Sequence, residues 1–494
     1  MKNHRFLLLI VFLLAAALRV VNLENVPPPF NVDEAANGYD AYSVLKTGRD
    51  QWGNILPVTF RAFNDFRRPA TIYSAIPFIA IYNLTIYGIR AMAAFWGWWS
   101  VVFLYRLVCD MTNQRTALFS ALLLTLSPWH IAFSRLGVEV SGPLITSIIA
   151  AIDFTWRWSQ SGKDRWIYAA AVAFAISIYA YTVAQAFTPL MLAVLFLIYI
   201  TRFKHRWKTG LVAILIFCLL ISPLLVNLFS NPLTWNRYDR ISVLKPPYGD
   251  SVPIVIAQWI GHFTPGYLFI KGDANPIHHP PGFGQLLWIQ ALLIPIGTLR
   301  LLLAFFPKPW SSREKILWKR QPFLILILVS WLILGALPAA MTRQDMESAN
   351  AMRGILTLPA WTILSAIGLE SVAYSAKTLK RKRILWLTAL VLTSINSVIV
   401  LRNYFRIYPV TAARAFEYGI QASLSYVVEN EANYTKIVLT DWISQPHIFA
   451  VFYSRYDPVA FQRNHAGYSS ALSAKLSEWG EKYETGDVEK LYET

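Results

Sequence analysis

Asp33 and Glu34, two adjacent carboxylates, open a stretch (residues 30–69) that gathers acids, arginines, aromatics and turn residues. A carboxylate near a bilayer surface, partly shielded from water, can act as a general base toward an incoming hydroxyl, amine or amide. Consecutive side chains project differently, so one member of the pair is expected to catalyse. The other positions a partner or makes a structural hydrogen bond. Arg67 and Arg68 close the stretch, directly before Pro69. Guanidinium groups clamp phosphate oxygens in a forked geometry and stay charged when partly buried. Arg68, at the mouth of an apolar helix, suits a phosphate whose lipid tail lies in the membrane. Lipid-headgroup anchoring is the plain alternative for the arginines, as solubility is for the loop.

Further candidates follow along the chain. Arg135 and Glu139 frame a break between two apolar runs, where ionisable groups are either functional or mutually paired. The polar segment from Lys271 to Gly282 carries His278 and His279. Neighbouring ring nitrogens seldom share one ion and no H-x-x-x-H spacing exists, so substrate hydrogen bonding or loop structure is preferred to metal ligation. Arg343 and Arg353 lie before the next apolar run. Arg353 is expected at a helix N-terminus, where free backbone N–H groups favour an anion, with headgroup snorkelling as the bland reading. No Walker loop, G-x-S-x-G elbow, C-x-x-C or H-E-x-x-H motif occurs. No cofactor is demanded, and a divalent metal ion is allowed without being required.

The elements that must hold these residues are membrane helices. Of 494 residues 55% are hydrophobic and only 15% charged, so repeated apolar runs imply a polytopic membrane protein. About eleven spans are expected, at 6–23, 88–108, 116–134, 139–157, 166–182, 185–201, 209–228, 285–305, 322–340, 353–373 and 384–401. The N-terminal run resembles a signal sequence but reads as an uncleaved first span. Cys109 and Cys218 lie in or beside apolar runs, which indicates neither a disulfide framework nor a thiolate site.

The net charge of +17 resides in short loops, a positive-inside pattern rather than a nucleic-acid footprint. The basic clusters at 157–165, 202–208, 308–320 and 377–383 are therefore assigned to the cytoplasm with the N-terminus. Keeping them together makes 70–87 an interfacial helix rather than a crossing. Residues 24–69, 134–139, 229–284, 341–352 and the tail 403–494 then share the opposite face, beyond reach of cytosolic nucleotides. In the tail, 413–430 reads as an amphipathic helix and 436–441 as a short strand, a small α/β appendage.

The order of motifs resembles the GT-C glycosyltransferases of the protein O-mannosyltransferase and aminoarabinose transferase superfamily, in its bacterial branch. The motifs are the DE pair, Tyr42…Leu45…Gly48, Trp52…Pro57, Phe66-Arg67-Arg68-Pro69 and Ile72-Tyr73. Ser127-Pro128-Trp129-His130, Gly272-Asp273-Ala274-Asn275-Pro276 and Leu337-Pro338 through Arg353 are also similar to that branch. The resemblance implies an all-α polytopic membrane domain over 1–402 and an extracytoplasmic α/β domain over 403–494. It implies inverting transfer of a hexose or pentose from a polyprenyl-phosphate carrier to a protein, lipid or cell-envelope glycan, in the plasma (inner) membrane. Asp33 maps onto the proposed base and Arg68 onto the donor-phosphate contact. Ala35, Ala36 and Asn37 stand where some relatives carry a further arginine. A flippase for lipid-linked sugars, or a membrane scaffold without catalysis, is the alternative.

Overall fold

Helix ends are punctuated by caps and prolines that set where each element starts. The computed structural model describes residues 2–63, 65–244, 251–303, 321–343, 349–435, 437–440, 445–465 and 483–486. The expected basic cluster at 308–320 lies outside these residues, as do Asn64, Gln344, Asp345, Lys436 and Asp441. Helix α1 is Lys2–Val20 and α2 is Val32–Thr47; a hairpin of β1 (Phe60–Ala62) and β2 (Asp65–Arg67) precedes α3 (Pro69–Tyr82). The hairpin is antiparallel, with Phe60 opposite Arg67. Next come α4 (Ile86–Met111), α5 (Gln114–Leu126), α6 (Pro128–Phe133) and α7 (Leu144–Ser161). They are followed by α8 (Arg165–Ala180), α9 (Val183–Ile198), α10 (Ile200–His205) and α11 (Trp207–Ser230).

The expected span 116–134 is broken. Ser127 caps α6 with its side chain and Pro128 occupies the first turn, so one apolar run becomes two helices. The expected span 139–157 begins as a single turn, Glu139–Ser141, and turns regular only after Pro143. Five helices among the described residues are long and apolar enough to cross a membrane: Ile86–Met111, Trp207–Ser230, Phe323–Ala340, Ala351–Ser375 and Leu379–Thr411. Helix α3 has 14 residues. That is about 21 Å of rise, against about 30 Å of hydrocarbon.

Two cores result. The larger joins α1 and α4–α8 to the helices Gln321–Ala340 and Leu358–Ser375, and takes in Tyr404, Tyr408 and Phe416 from beyond residue 402. Tyr408 donates its hydroxyl to the Pro276 carbonyl and Asn403 its amide to Pro281, at 2.7 and 2.8 Å. The smaller core lies under α2 and α3, where Phe30, Tyr39, Ile72 and Ile79 meet Ile448, Phe449 and Phe452 of the tail helix Pro446–Ser454. Gly38 is needed there, since a Cβ would lie 2.7 Å from the Phe452 ring. Gln462 of the following helix donates to Ser43, Thr47 and the Asp50 carbonyl. In the tail, Ile437–Thr440 pairs in parallel with Tyr483–Gly486. The amphipathic helix starts at Ile420 rather than 413, because the chain turns at Glu417, whose φ is +51°.

Candidate active site

The first turn of α2 separates the two neighbouring carboxylates. Asn31 caps the helix, accepting from the Glu34 N–H at 2.9 Å, and Glu34 Oε2 accepts from the Asn31 N–H at 3.4 Å. This reciprocal capping box turns Glu34 inward. There it meets Arg90 of α4 in a forked pair, Nε to Oε1 at 2.8 Å and Nη2 to Oε2 at 2.9 Å, both side chains fully buried. The Gly137 N–H donates to Oε1 at 2.8 Å, and Arg90 also donates to the carbonyls of Leu23, Pro27 and Pro28. Glu34, expected at the catalytic centre, is instead a strut: burial and this full set of donors keep it from substrate.

Asp33 points the other way. Its side chain is 48% exposed, with Oδ1 2.5 Å from Arg67 Nη2. Among the described residues its Oδ2 accepts no hydrogen bond. Arg67 Nη1 donates to the Asp33 carbonyl at 3.0 Å and to Asn37 Oδ1 at 2.9 Å, and the guanidinium stacks on Phe63. Arg67, expected on the donor phosphate, holds the carboxylate instead. It lies at the end of β2 and Arg68 begins the turn into α3, so the two side chains leave the chain on different sides.

Arg68 faces a groove. Its backbone N–H donates to Glu139 Oε1 at 2.7 Å, and Nη2 donates to Gln185 Oε1 at 3.1 Å. The Arg68 and Gln185 side chains line a cavity of about 450 Å³ whose remaining walls are mostly apolar, formed by α8, α9, α11 and residues 338–342. A cationic group at the end of an apolar trough matches a phosphate head on a hydrocarbon tail. Thr342 lines the same cavity and accepts from Arg353 Nη1 at 2.7 Å. Arg353 thus sits behind that wall, also donating to the Arg343 carbonyl at 3.0 Å. The helix N-terminus expected there is present, with Ala351–Gly354 as the first turn of the helical run Ala351–Ser375. Two of its N–H groups are already engaged: Ala351 donates to Asp273 Oδ2 and Arg353 to Asn350 Oδ1. Arg343 ties loops together through its backbone, its N–H donating to the Ile241 carbonyl at 2.6 Å.

Four of the expected substrate contacts, Arg135, Glu139, His278 and His279, are engaged by the protein's own groups. Arg135 is fully buried and donates to the carbonyls of Leu18, Val21, Asn22 and Val26 around the end of α1. It does so because a helix C-terminus leaves carbonyls unsatisfied, and a guanidinium can gather several. Glu139 does not pair with it; the carboxylate serves Arg68, and the Glu139 carbonyl accepts from Thr71. His278 binds Asp273 at 3.0 Å, and His279 binds the Phe283 carbonyl at 2.6 Å. Burial pushes the His279 imidazole down to about 4. Burial alone would raise Asp273, but His278 and the Ala351 and Asn275 N–H groups outweigh it and hold the carboxyl below its usual range. These residues knit the long loop to the 349–354 turn.

The fold has counterparts among solved structures. ArnT from Cupriavidus metallidurans bound to undecaprenyl phosphate superposes with a TM-score of 0.54 at 13% identity, over 100% of this chain and 91% of that one. Its apo form gives 0.56 at 14%, over 99% and 90%. The archaeal oligosaccharyltransferase AglB from Archaeoglobus fulgidus, with an inhibitory peptide and a dolichol-phosphate, gives 0.52 at 13%, over 91% of this chain and 63% of that one. This is the GT-C glycosyltransferase fold. Residues 69–226 match the family model of dolichyl-phosphate-mannose-protein mannosyltransferase. No curated protein matches the chain.

Within this GT-C fold, sequence reasoning passed over Arg90, Asn37 and Gln185. Arg90 is a lone charge at the start of an apolar run, and Gln185 an amide in another, the kind of polar residue that defaults to a partner at membrane depth. Asp40 of α2 and Asp50 just beyond it form a further buried acidic pair, both carboxyls raised by burial. Gln51 and Asn54 satisfy them, which fixes the turn that follows the helix.

Proposed function

We propose that the chain transfers a sugar from a polyprenyl-phosphate carrier to an acceptor on the extracytoplasmic side of the membrane, with inversion at the sugar carbon. The observation that carries this reading is the trough headed by Arg68 and Gln185, next along the chain from Arg67, which grips a half-exposed Asp33. The carrier's tail would lie among α8, α9 and α11, with its phosphate at Arg68. The acceptor's hydroxyl or amide gives its proton to Asp33, and the freed lone pair attacks the anomeric carbon. The bond from that carbon to the phosphate oxygen breaks, and the polyprenyl phosphate leaves with its charge offset by Arg68. Arg67 and Asn37 orient the base, while Glu139 and Gln185 fix the phosphate grip.

The side of the membrane is read from charge. Arg106, Arg157 and Arg206 gather where α4 and α7 end and the loops near Gly162 begin, pairing with Asp153, Asp110 and Asp164. Arg90 lies at the other end of α4, about 24 Å away along the helix. The positive-inside rule puts the arginine-rich end in the cytoplasm and the Asp33 end outside.

Asp33→Asn tests the reading: transfer should fall by about 10²–10⁴-fold while the protein still inserts and purifies folded. Full activity in that variant would remove Asp33 as the base. Mass spectrometry of envelope proteins and glycolipids from a deletion strain should reveal a lost sugar increment, naming the sugar and the acceptor class. Unchanged masses in every fraction would count against transfer.

A further inference from the structure

A second cavity, of about 290 Å³, lies between α7, α8, α9 and α11 on the side away from Arg68. Its lining is almost wholly apolar, and it shares Phe217 with the Arg68 trough. The two are joined by unbroken helical stripes. On α11, Gly210, Ala213 and Phe217 line the second cavity, and Phe217, Ile221 and Leu228 line the first. On α8, Ala171 and Phe174 lead to Ile178 in the same way; on α9, Phe196 and Leu192 lead to Pro189 and Gln185. Spacings of three, four and seven keep such residues on one helix face, so each stripe is a continuous wall. Helix α8 packs against both α9 and α11 and forms the floor. Small residues hollow out the far half: Ala170, Ala171, Ala193, Gly210 and Ala213.

From Leu228 to Gly210 the α11 wall extends about 27 Å, close to the full hydrocarbon thickness of about 30 Å. The part next to Arg68, from Leu228 to Phe217, covers about 17 Å. We infer that the second cavity is the distal half of one lipid track, and that it selects carriers by length: a polyprenyl chain long enough to pass Phe217 is held along both halves. This rests on the carrier reading proposed above, and the occupant follows from continuity with the Arg68 trough. A chain anchored at Arg68 that reaches the far half buries additional methylenes at each step, whereas a short chain ends before Phe217.

The test uses the full chain in nanodiscs, titrated with undecaprenyl phosphate or farnesyl phosphate at equal mole fraction in the bilayer. Ala193→Phe fills the far cavity from its exposed rim, and Ala213→Phe fills it from the α11 wall. Each should weaken undecaprenyl phosphate binding about tenfold, the loss of a few buried methylenes, with farnesyl phosphate binding at its wild-type Kd. Folding is checked by melting temperature, and the rim variant keeps the test valid should the wall variant fail to fold. An unchanged ratio of the two affinities in a folded variant would overturn the length selection. A phospholipid that stays bound after undecaprenyl phosphate saturates the protein would overturn it as well. Failure of both lipid phosphates to bind the wild type, or no loss of either in Arg68→Ala, would instead overturn the carrier reading itself.

Discussion

Two regions built from the same loop behave in opposite ways. One is the strut of Glu34 and Arg90, with neither side chain exposed and every carboxylate oxygen engaged. The other is the rim of Asp33, Arg67 and Arg68, where the carboxylate is half in solvent and the second arginine fronts an apolar trough. Chemical identity does not distinguish them, since both pair an acid with an arginine. Surroundings do. The buried pair has spent its hydrogen-bonding capacity on the fold, while at the rim one Asp33 oxygen accepts no hydrogen bond among the described residues and Arg68 lines an open trough.

The contrast is broken most severely at the strut. Arg90→Ala leaves Glu34 charged and unpaired in the core, at a cost of about 3–5 kcal/mol. That is a large share of a typical domain's stability, so the variant should fail to purify as a monodisperse protein. Wild-type melting behaviour in Arg90→Ala would show that the strut is dispensable. At the rim the opposite pattern is expected. Asp33→Asn should lower the rate of transfer by about 10²–10⁴-fold, the usual yield of a positioned base, with its melting temperature little changed. A variant that loses stability as well as activity would erase the distinction.

The loop behind the rim offers a pH test of intermediate size. His279 sits in the folded protein with its imidazole lowered to about 4, against an ordinary 6.5. Above pH 6.5 it is neutral in both states and contributes nothing. As pH falls from 6.5 toward 4 the unfolded chain takes up the proton and the folded one does not, so stability drops by about 3 kcal/mol across that window. Melting curves at pH 7 and pH 5 should show this loss in the wild type and less of it in His279→Gln. The smallest effect separates the two rim arginines. Arg68→Ala should raise KM for the lipid-linked donor about tenfold to a hundredfold, the worth of a charge-assisted hydrogen bond, whereas Arg67→Ala should act mainly on kcat through Asp33. Identical kinetic signatures for both would contradict their different facings.

What was legible in the sequence follows the same division. The DE pair, the arginines before Pro69 and the apolar runs were visible as residue types at particular places, and the GT-C fold was within reach of those motifs. Which partner each charged side chain would choose was not. Arg67 and Arg68 are consecutive, and only the turn from β2 into α3 sends one to the carboxylate and the other to the trough. Arg135 read either as a substrate contact or as half of an ion pair with Glu139, yet its partners are four backbone carbonyls, groups every residue carries and no sequence pattern marks. Arg90 was hidden in plain view as the first charge of a long apolar helix, with its partner 56 positions earlier. The packing of the tail on α2 was beyond local reading for the same reason of distance.

That packing has a consequence for how the protein is made. The helix that presents Asp33 leans on Phe452 through the bare backbone at Gly38, and its far end is tied by Gln462 to Ser43, 419 positions away. Ser43 leaves the ribosome 419 residues before Gln462. A nascent chain therefore carries Asp33 long before the brace behind its helix exists, and α2 gains its final seating only once synthesis has passed residue 462.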